Sequence, residues 1–195
     1  ICIEMKTISQ HNNNNNNTKG SHSLSCKLAC GRMTRHFQLN DVIFRALASA
    51  DIPATKEPSG LLRSDGKRPD GLTLIPWQSG KPLTWDVTVA HTAAGSYLSN
   101  VASTAGGVAE MAAERKHEKY TELEKSYIFQ PISFETFGPI NSSGHAFICE
   151  LGRRISAVSG DARNTAFLYQ RLSVTVQRFN AIAFRGSFIT ADLDS

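Results

Sequence analysis

No stretch of the 195-residue chain is apolar for long enough to span a bilayer, so a membrane protein is not expected. A secretory leader is missing as well: Ile1-Cys2-Ile3-Glu4 has neither a basic start nor an apolar core. The chain does not open on Met, and we expect a fragment or a conceptual translation. Cysteine is sparse. Four residues, Cys2, Cys26, Cys30 and Cys149, are scattered along the chain. Without an export signal they read as reduced thiols or zinc ligands rather than a disulfide framework. There is no internal repeat. Acidic residues are outnumbered, 17 against 21 Lys and Arg, for a formal net charge of +4. The isoelectric point near 9.0 suits a polyanionic partner without requiring one. The length allows one domain with a sizeable core.

The first 20 residues hold an unbroken Asn run, Asn12 to Asn17. Such a run has no apolar face to bury, and residues 1–20 are expected to be disordered. In 21–34, His22 and Cys26 are spaced as half of a zinc knuckle. A structural zinc site needs four ligands, and even with Cys30 the count falls short, so a degenerate remnant is expected.

Helical periodicity begins at Arg35 and runs to Ala50, with Phe37, Val42, Ile43, Phe44 and Leu47 as the apolar set. His36 and Asn40, four apart, share a face, and His36 alone reads as a helix-surface histidine. Asp51-Ile52-Pro53 ends the helix. Three strands follow, a short one at Leu61-Leu62-Arg63 and two longer ones. A loop occupies 91–106, with a helical turn near Ser96 to Val101. Val108 to Lys125 is a helix with a charged face, and Tyr127 to Phe137 a strand whose Pro131 points to an edge or bulge. Two helices close the chain, Gly144 to Val158 and Arg163 to Arg185. The last carries Arg163, Gln170, Arg171, Gln177 and Arg178 on one face, a row that fits a phosphate backbone or simple solvation equally. The order α, β-β-β, α, β and two C-terminal helices is α/β or α+β, a small mixed sheet flanked by helices.

The chemistry concentrates at Asp70 and Asp86. Each lies at an apolar strand segment, Leu72-Thr73-Leu74-Ile75 after the first and Val87-Thr88-Val89 after the second. Gln78-Ser79-Gly80-Lys81-Pro82 between them has the content of a hairpin turn. Antiparallel pairing across it brings the two carboxylates together, where they repel unless a cation sits between them. Mg²⁺ or Mn²⁺ is the usual ion for an all-oxygen site. The alternative is a turn residue and a surface residue with no ion.

Several stretches together resemble the C-terminal portion of reverse-transcriptase proteins of non-LTR retrotransposons, from about Gly20 to Phe188. They are Ser21-His22-Ser23-Leu24-Ser25-Cys26, Arg35-His36, Asp65-Gly66-Lys67-Arg68-Pro69-Asp70-Gly71, Trp85-Asp86-Val87-Thr88-Val89, Lys116 with Lys119-Tyr120, Phe134-Glu135-Thr136-Phe137-Gly138 and Gln170-Arg171-Leu172-Ser173-Val174. The resemblance implies a restriction-like endonuclease domain of the PD-(D/E)XK type over 35–190, with an αβββαβ core, following a zinc knuckle. The implied activity is a divalent-metal-dependent nick in target DNA that primes reverse transcription. Asp70 and Asp86 match the two motif acids and Glu57 an acid after the first helix; these three are the implied metal and catalytic set. Lys116 and Lys119 match the segment that supplies the catalytic lysine, and Tyr120 is expected to pack. Arg35 and His36 match a basic pair at the start of the domain. Lys67, Arg68, Arg171 and Arg178 are further nucleic-acid contacts. The implied partner is DNA, with RNA reached through the parent protein, and neither a membrane nor a small-molecule substrate. The implied location is nuclear.

The sequence also departs from that pattern. Thr88 stands where the usual motif has lysine, Phe37 where an Asn often follows the His, and the Asn run where the first two knuckle cysteines belong. No polymerase domain is present in the chain. A catalytically inactive nucleic-acid-binding module or a decayed remnant is therefore the alternative expectation.

Overall fold

A computed structural model describes residues 30–62, 65–91 and 105–189. The Asn-rich start, His22 and Cys26 lie outside the described residues, as do Arg63 and the turn expected near Ser96 to Val101.

The first helix, α1 (Cys30–Ser49), ends through its own backbone. Asp51 takes a left-handed φ of 54°. Its N–H donates to Ala48 O at 3.1 Å, and the N–H of Ile52 reaches back to Leu47 O at 3.0 Å. This is the Schellman arrangement, and the buried side chains of Leu47 and Ile52 supply its apolar contact. Pro53 then prevents further helix.

Strand β1 is Ala54–Lys56, β2 Gly71–Gln78, β3 Lys81–Ala90 and β4 Ile128–Glu135, in the spatial order β1-β2-β3-β4. The first three pair antiparallel, and β3 pairs with β4 in parallel. The β2–β3 hairpin turns on two residues, Ser79 and Gly80, with φ of 50° and 75° between the Gln78–Lys81 pair. Two left-handed residues match the twist of a hairpin. A register irregularity falls between Leu72 and Pro76. The Thr73 hydroxyl bridges it, accepting from Leu83 N–H at 2.9 Å and donating to Ile75 O at 2.8 Å. The parallel β3–β4 pair needs a crossover, supplied by α2 (Gly107–Tyr120). Helices α3 (Ser142–Ser159) and α4 (Asn164–Ile189) complete the described fold.

Alternation along β3 sorts the layers. Leu83, Trp85 and Val87 join Ile132 and Phe134 in a core shared with α1, α3 and α4. On the other face Ala90 meets Val108 and Ala112 of α2. The helix α2 starts at Gly106 without a side-chain cap of its own. The buried carboxylate of Glu135 takes that role from the end of β4, accepting from Val108 N–H at 3.0 Å and Ala109 N–H at 3.3 Å.

The mixed sheet with flanking helices agrees with the element order expected from sequence, and Pro131 does lie on an edge strand of the described sheet. Three details differ. The first strand is Ala54–Lys56, not Leu61-Leu62-Arg63, because β2 pairs with the chain directly after α1. Ser59–Leu61 is a 3₁₀ turn, and the Leu62 side chain points to solvent. Phe37 is 55 % exposed rather than inward; Leu39 and Ala46 take the core positions with Val42, Ile43 and Leu47. The helix expected to reach Lys125 stops at Tyr120 and continues as a 3₁₀ turn over Thr121–Lys125.

One close approach fixes the β2–β3 register. A Cβ at Gly71 would lie 2.0 Å from Cζ2 of Trp85, whose ring is wholly buried. We expect Gly71→Ala to lower stability by about 1–3 kcal/mol, the usual range for overpacking. Gly60→Ala, where the same position is open, should change little. Urea unfolding of both variants checks this; equal midpoints would contradict the packing account.

Candidate metal centre

Asp70 immediately precedes β2, and its backbone is held on both sides. Its N–H donates to Trp85 O and its carbonyl accepts from Glu57 N–H, each at 2.9 Å. The carbonyl also accepts from Asn40 Nδ2 at 3.3 Å, while Asn40 Oδ1 takes the Trp85 indole N–H at 2.8 Å. Asn40 therefore ties α1 to both strands at the hairpin's open end. The Asp70 side chain turns towards β3, where Oδ2 accepts from Val87 N–H at 2.6 Å. His36, one helical turn before Asn40, places Nε2 3.0 Å from the same oxygen.

Asp86 lies on the α2 side of β3 and is 3 % exposed. Lys116 of α2 donates to its Oδ1 at 2.6 Å, and the hydroxyl of buried Tyr120 bonds to the same carboxylate. His36, Asp70 and Asp86 can each offer one ligand atom within 4.8 Å of the others. Divalent-cation ligands stand about 2.1 Å from the ion, so opposed donors sit about 4.2 Å apart. The 4.8 Å limit is of the same order, somewhat wider than a closed set of ligands.

The electrostatics agree with two acids sharing a confined space. Burial pushes the Asp86 carboxyl up from its ordinary value, and the charge of Asp70 adds to this; Lys116 and Tyr120 oppose it. The hydrogen bond to Asp70 raises the His36 imidazole above 6.5 against the effect of its burial. Burial and the neighbouring Lys116 lower the Lys119 ammonium, which donates to the Tyr120 hydroxyl at 2.9 Å and lies 4.4 Å from that ring's centre.

A cavity of about 600 Å³ opens beside the cluster, bordered by His36, Phe37, Glu57, Val87, Thr88 and Lys116. Thr88 holds the place of the expected motif lysine. Its hydroxyl is buried and makes no hydrogen bond, so the ammonium at this site comes from α2 instead.

The other expected site residues fall differently. Glu57 lines the cavity but does not join the cluster; its carboxylate pairs with Arg68 and is largely exposed. His36 occupies the third position assigned to it. Arg35 is 2 % exposed, with its guanidinium donating to Asn180, which in turn donates to Thr136 O. It is an interior strut between α1, α4 and the end of β4 rather than a surface contact for nucleic acid. Lys67, Arg171 and Arg178 are exposed. Lys119 faces Tyr120 rather than a carboxylate. Tyr120 does more than pack, since it bonds Asp86. Asn40 was not anticipated as part of the site, although its four-residue spacing from His36 was visible. Glu135 lies in one of the stretches that carry the resemblance, but its role as cap of the helix bearing Lys116 was not anticipated.

No family model matches the chain, and no curated protein matches it.

The His36–Asp70 contact has a pH signature. A raised folded-state pKa means that the stabilisation is complete below the unfolded value near 6.5 and is lost as pH rises through the folded value. NMR titration should place the His36 midpoint above 6.5 and move it down in Asp70→Asn. An unchanged midpoint in that variant would show that the two side chains do not interact in solution.

Proposed function

We propose that this chain is a divalent-metal-dependent DNA endonuclease domain of the restriction-like kind associated with non-LTR retrotransposon proteins, nicking target DNA to prime reverse transcription. The observation that carries the reading is the convergence of Asp70, just before β2, and Asp86 on the antiparallel neighbour β3, with the Lys116 ammonium on Asp86. The element order α, β-β-β, α, β supports it, being the order of a restriction-endonuclease-like core.

Asp70 and Asp86 would hold Mg²⁺ or Mn²⁺. The ion, when bound, positions an attacking water and neutralises charge on the phosphate. Lys116 sets a positive charge beside the developing phosphorane, where a donor in a water-poor site is worth most. Tyr120 and Lys119 fix the rotamers around Asp86. Glu135 holds the start of α2 and so sets the reach of Lys116. Lys67 with the exposed Arg171 and Arg178 supplies positive charge for the DNA backbone, and the nuclear location belongs to this reading through the resemblance alone. Among the described residues no helix is long and apolar enough to cross a membrane.

Thr88, in place of the motif lysine, favours a second reading: DNA binding without cleavage. A supercoiled-plasmid assay with Mg²⁺, Mn²⁺ or EDTA separates the two. We expect nicking that requires metal, falls by at least about 100-fold in Asp70→Ala, and falls by about 10²–10³ in Lys116→Ala. Nicking that survives Asp70→Ala would sink the endonuclease reading. Gel retardation at low salt with no nicking would leave the binding-only reading.

A further inference from the structure

We propose that His36 is the third protein ligand of the ion held by Asp70 and Asp86, and that its imidazole makes the centre prefer first-row transition ions over Mg²⁺. This deepens the proposed function and rests on the metal reading of the two acids.

The geometry distinguishes His36 from an ordinary helix histidine. Nε2 lies 3.0 Å from Asp70 Oδ2. A hydrogen bond and a pair of neighbouring ligands share this separation: adjacent octahedral ligands about 2.1 Å from an ion stand about 3.0 Å apart, so an ion could replace the proton between the two groups without moving either residue. The approach is set by buried structure. Leu39 and Ile43 anchor α1 in the core on either side of Asn40. Asn40 in turn grips the Asp70 carbonyl and the Trp85 indole. One helix face therefore positions both the imidazole and the backbone of its neighbouring carboxylate. Lys116 reaches Asp86 from α2, the layer opposite α1, and borders the same cavity as His36. Glu57, the all-oxygen alternative, is held off by Arg68.

The donor set then decides the ion. Mg²⁺ takes oxygen ligands almost exclusively and gives up water reluctantly. An imidazole nitrogen adds little for Mg²⁺ but strengthens binding of first-row transition ions, increasingly from Mn²⁺ to Co²⁺ and Ni²⁺. One nitrogen and two carboxylates would hold the ion from the protein side, with water and a phosphate oxygen supplying the rest of its ligands.

The test is direct binding to the whole chain without DNA: Co²⁺ followed by its visible absorption, and Mg²⁺ by calorimetry. Wild type, His36→Asn and Asp70→Asn are compared, with circular dichroism to confirm folding. We expect wild type to bind Co²⁺ more tightly than Mg²⁺. His36→Asn should weaken Co²⁺ by at least about tenfold, shift its absorption band, and leave Mg²⁺ nearly unchanged. His36→Asp, which makes the set all oxygen, should move the preference towards Mg²⁺. If His36→Asn leaves the Co²⁺-to-Mg²⁺ ratio intact while Asp70→Asn abolishes both, the His36 assignment is wrong and the metal reading stands. If wild type binds neither ion, both fall.

Discussion

The packing of the Trp85 indole over Gly71 is the constraint on which the site depends. The ring fills the space a side chain would need at residue 71, so β2 and β3 can align in only one register. That register pairs Gly71 with Trp85 and leaves Asp70 next to Asp86. A one-residue slip would turn one carboxylate to the opposite face. The indole N–H extends the constraint, because Asn40 accepts it and also holds Asp70. Helix α1 is thereby locked to the hairpin at the point where His36 projects. A core contact and a polar clamp together set three side chains from two layers of the fold.

The same arrangement works against stability at the site. Asp86 is buried, with a second carboxylate beside it. An isolated buried charge is expensive, and like charges worsen it. His36, Lys116 and Tyr120 offset the charge without removing the repulsion. Buried ion pairs are weak contributors to stability, and apolar residues of similar volume often do better. Packing therefore gives no reason for this group of side chains. A cation between the acids would turn the main electrostatic penalty into an attraction.

The fold was largely legible because its long elements carry clear periodicity and its turn carries clear chemistry. Ser79-Gly80 supplies the two left-handed residues of a hairpin, and the convergence of Asp70 and Asp86 follows from that turn. Strand β1 was not legible: Ala54-Thr55-Lys56 is too short to alternate, whereas Leu61-Leu62 looks apolar yet forms no strand, with Leu62 exposed. The site was legible in its acids and in the helix that supplies Lys116, but not in its partners. His36 sits at a polar helix position, and nothing local reveals that a distant aspartate meets it. Glu57 has the right residue type near the right strand, but its left-handed backbone and its pairing with Arg68 depend on the loop's course. Arg35 looks like a surface cation until α4 folds back and Asn180 receives it.

The supply of the Lys116 ammonium from α2 rather than from β3 shows how the layers share the candidate site. Thr88 is two residues after Asp86, so it projects to the same face of β3, and its short side chain leaves room beside the carboxylates. An ammonium arriving there from α2 must be placed by the pose of a whole helix rather than by strand geometry. That pose is fixed at one end by Glu135 on the first N–H groups of α2. It is fixed at the other by Tyr120, whose ring packs on Phe129 with centroids 4.8 Å apart. Glu135 and Phe129 both lie on β4, the strand parallel to β3, so the parallel pairing carries the position of Lys116 back to Asp86. The candidate centre thus draws one side chain from α1, two from the hairpin and one from α2, and no smaller part of the fold would assemble it.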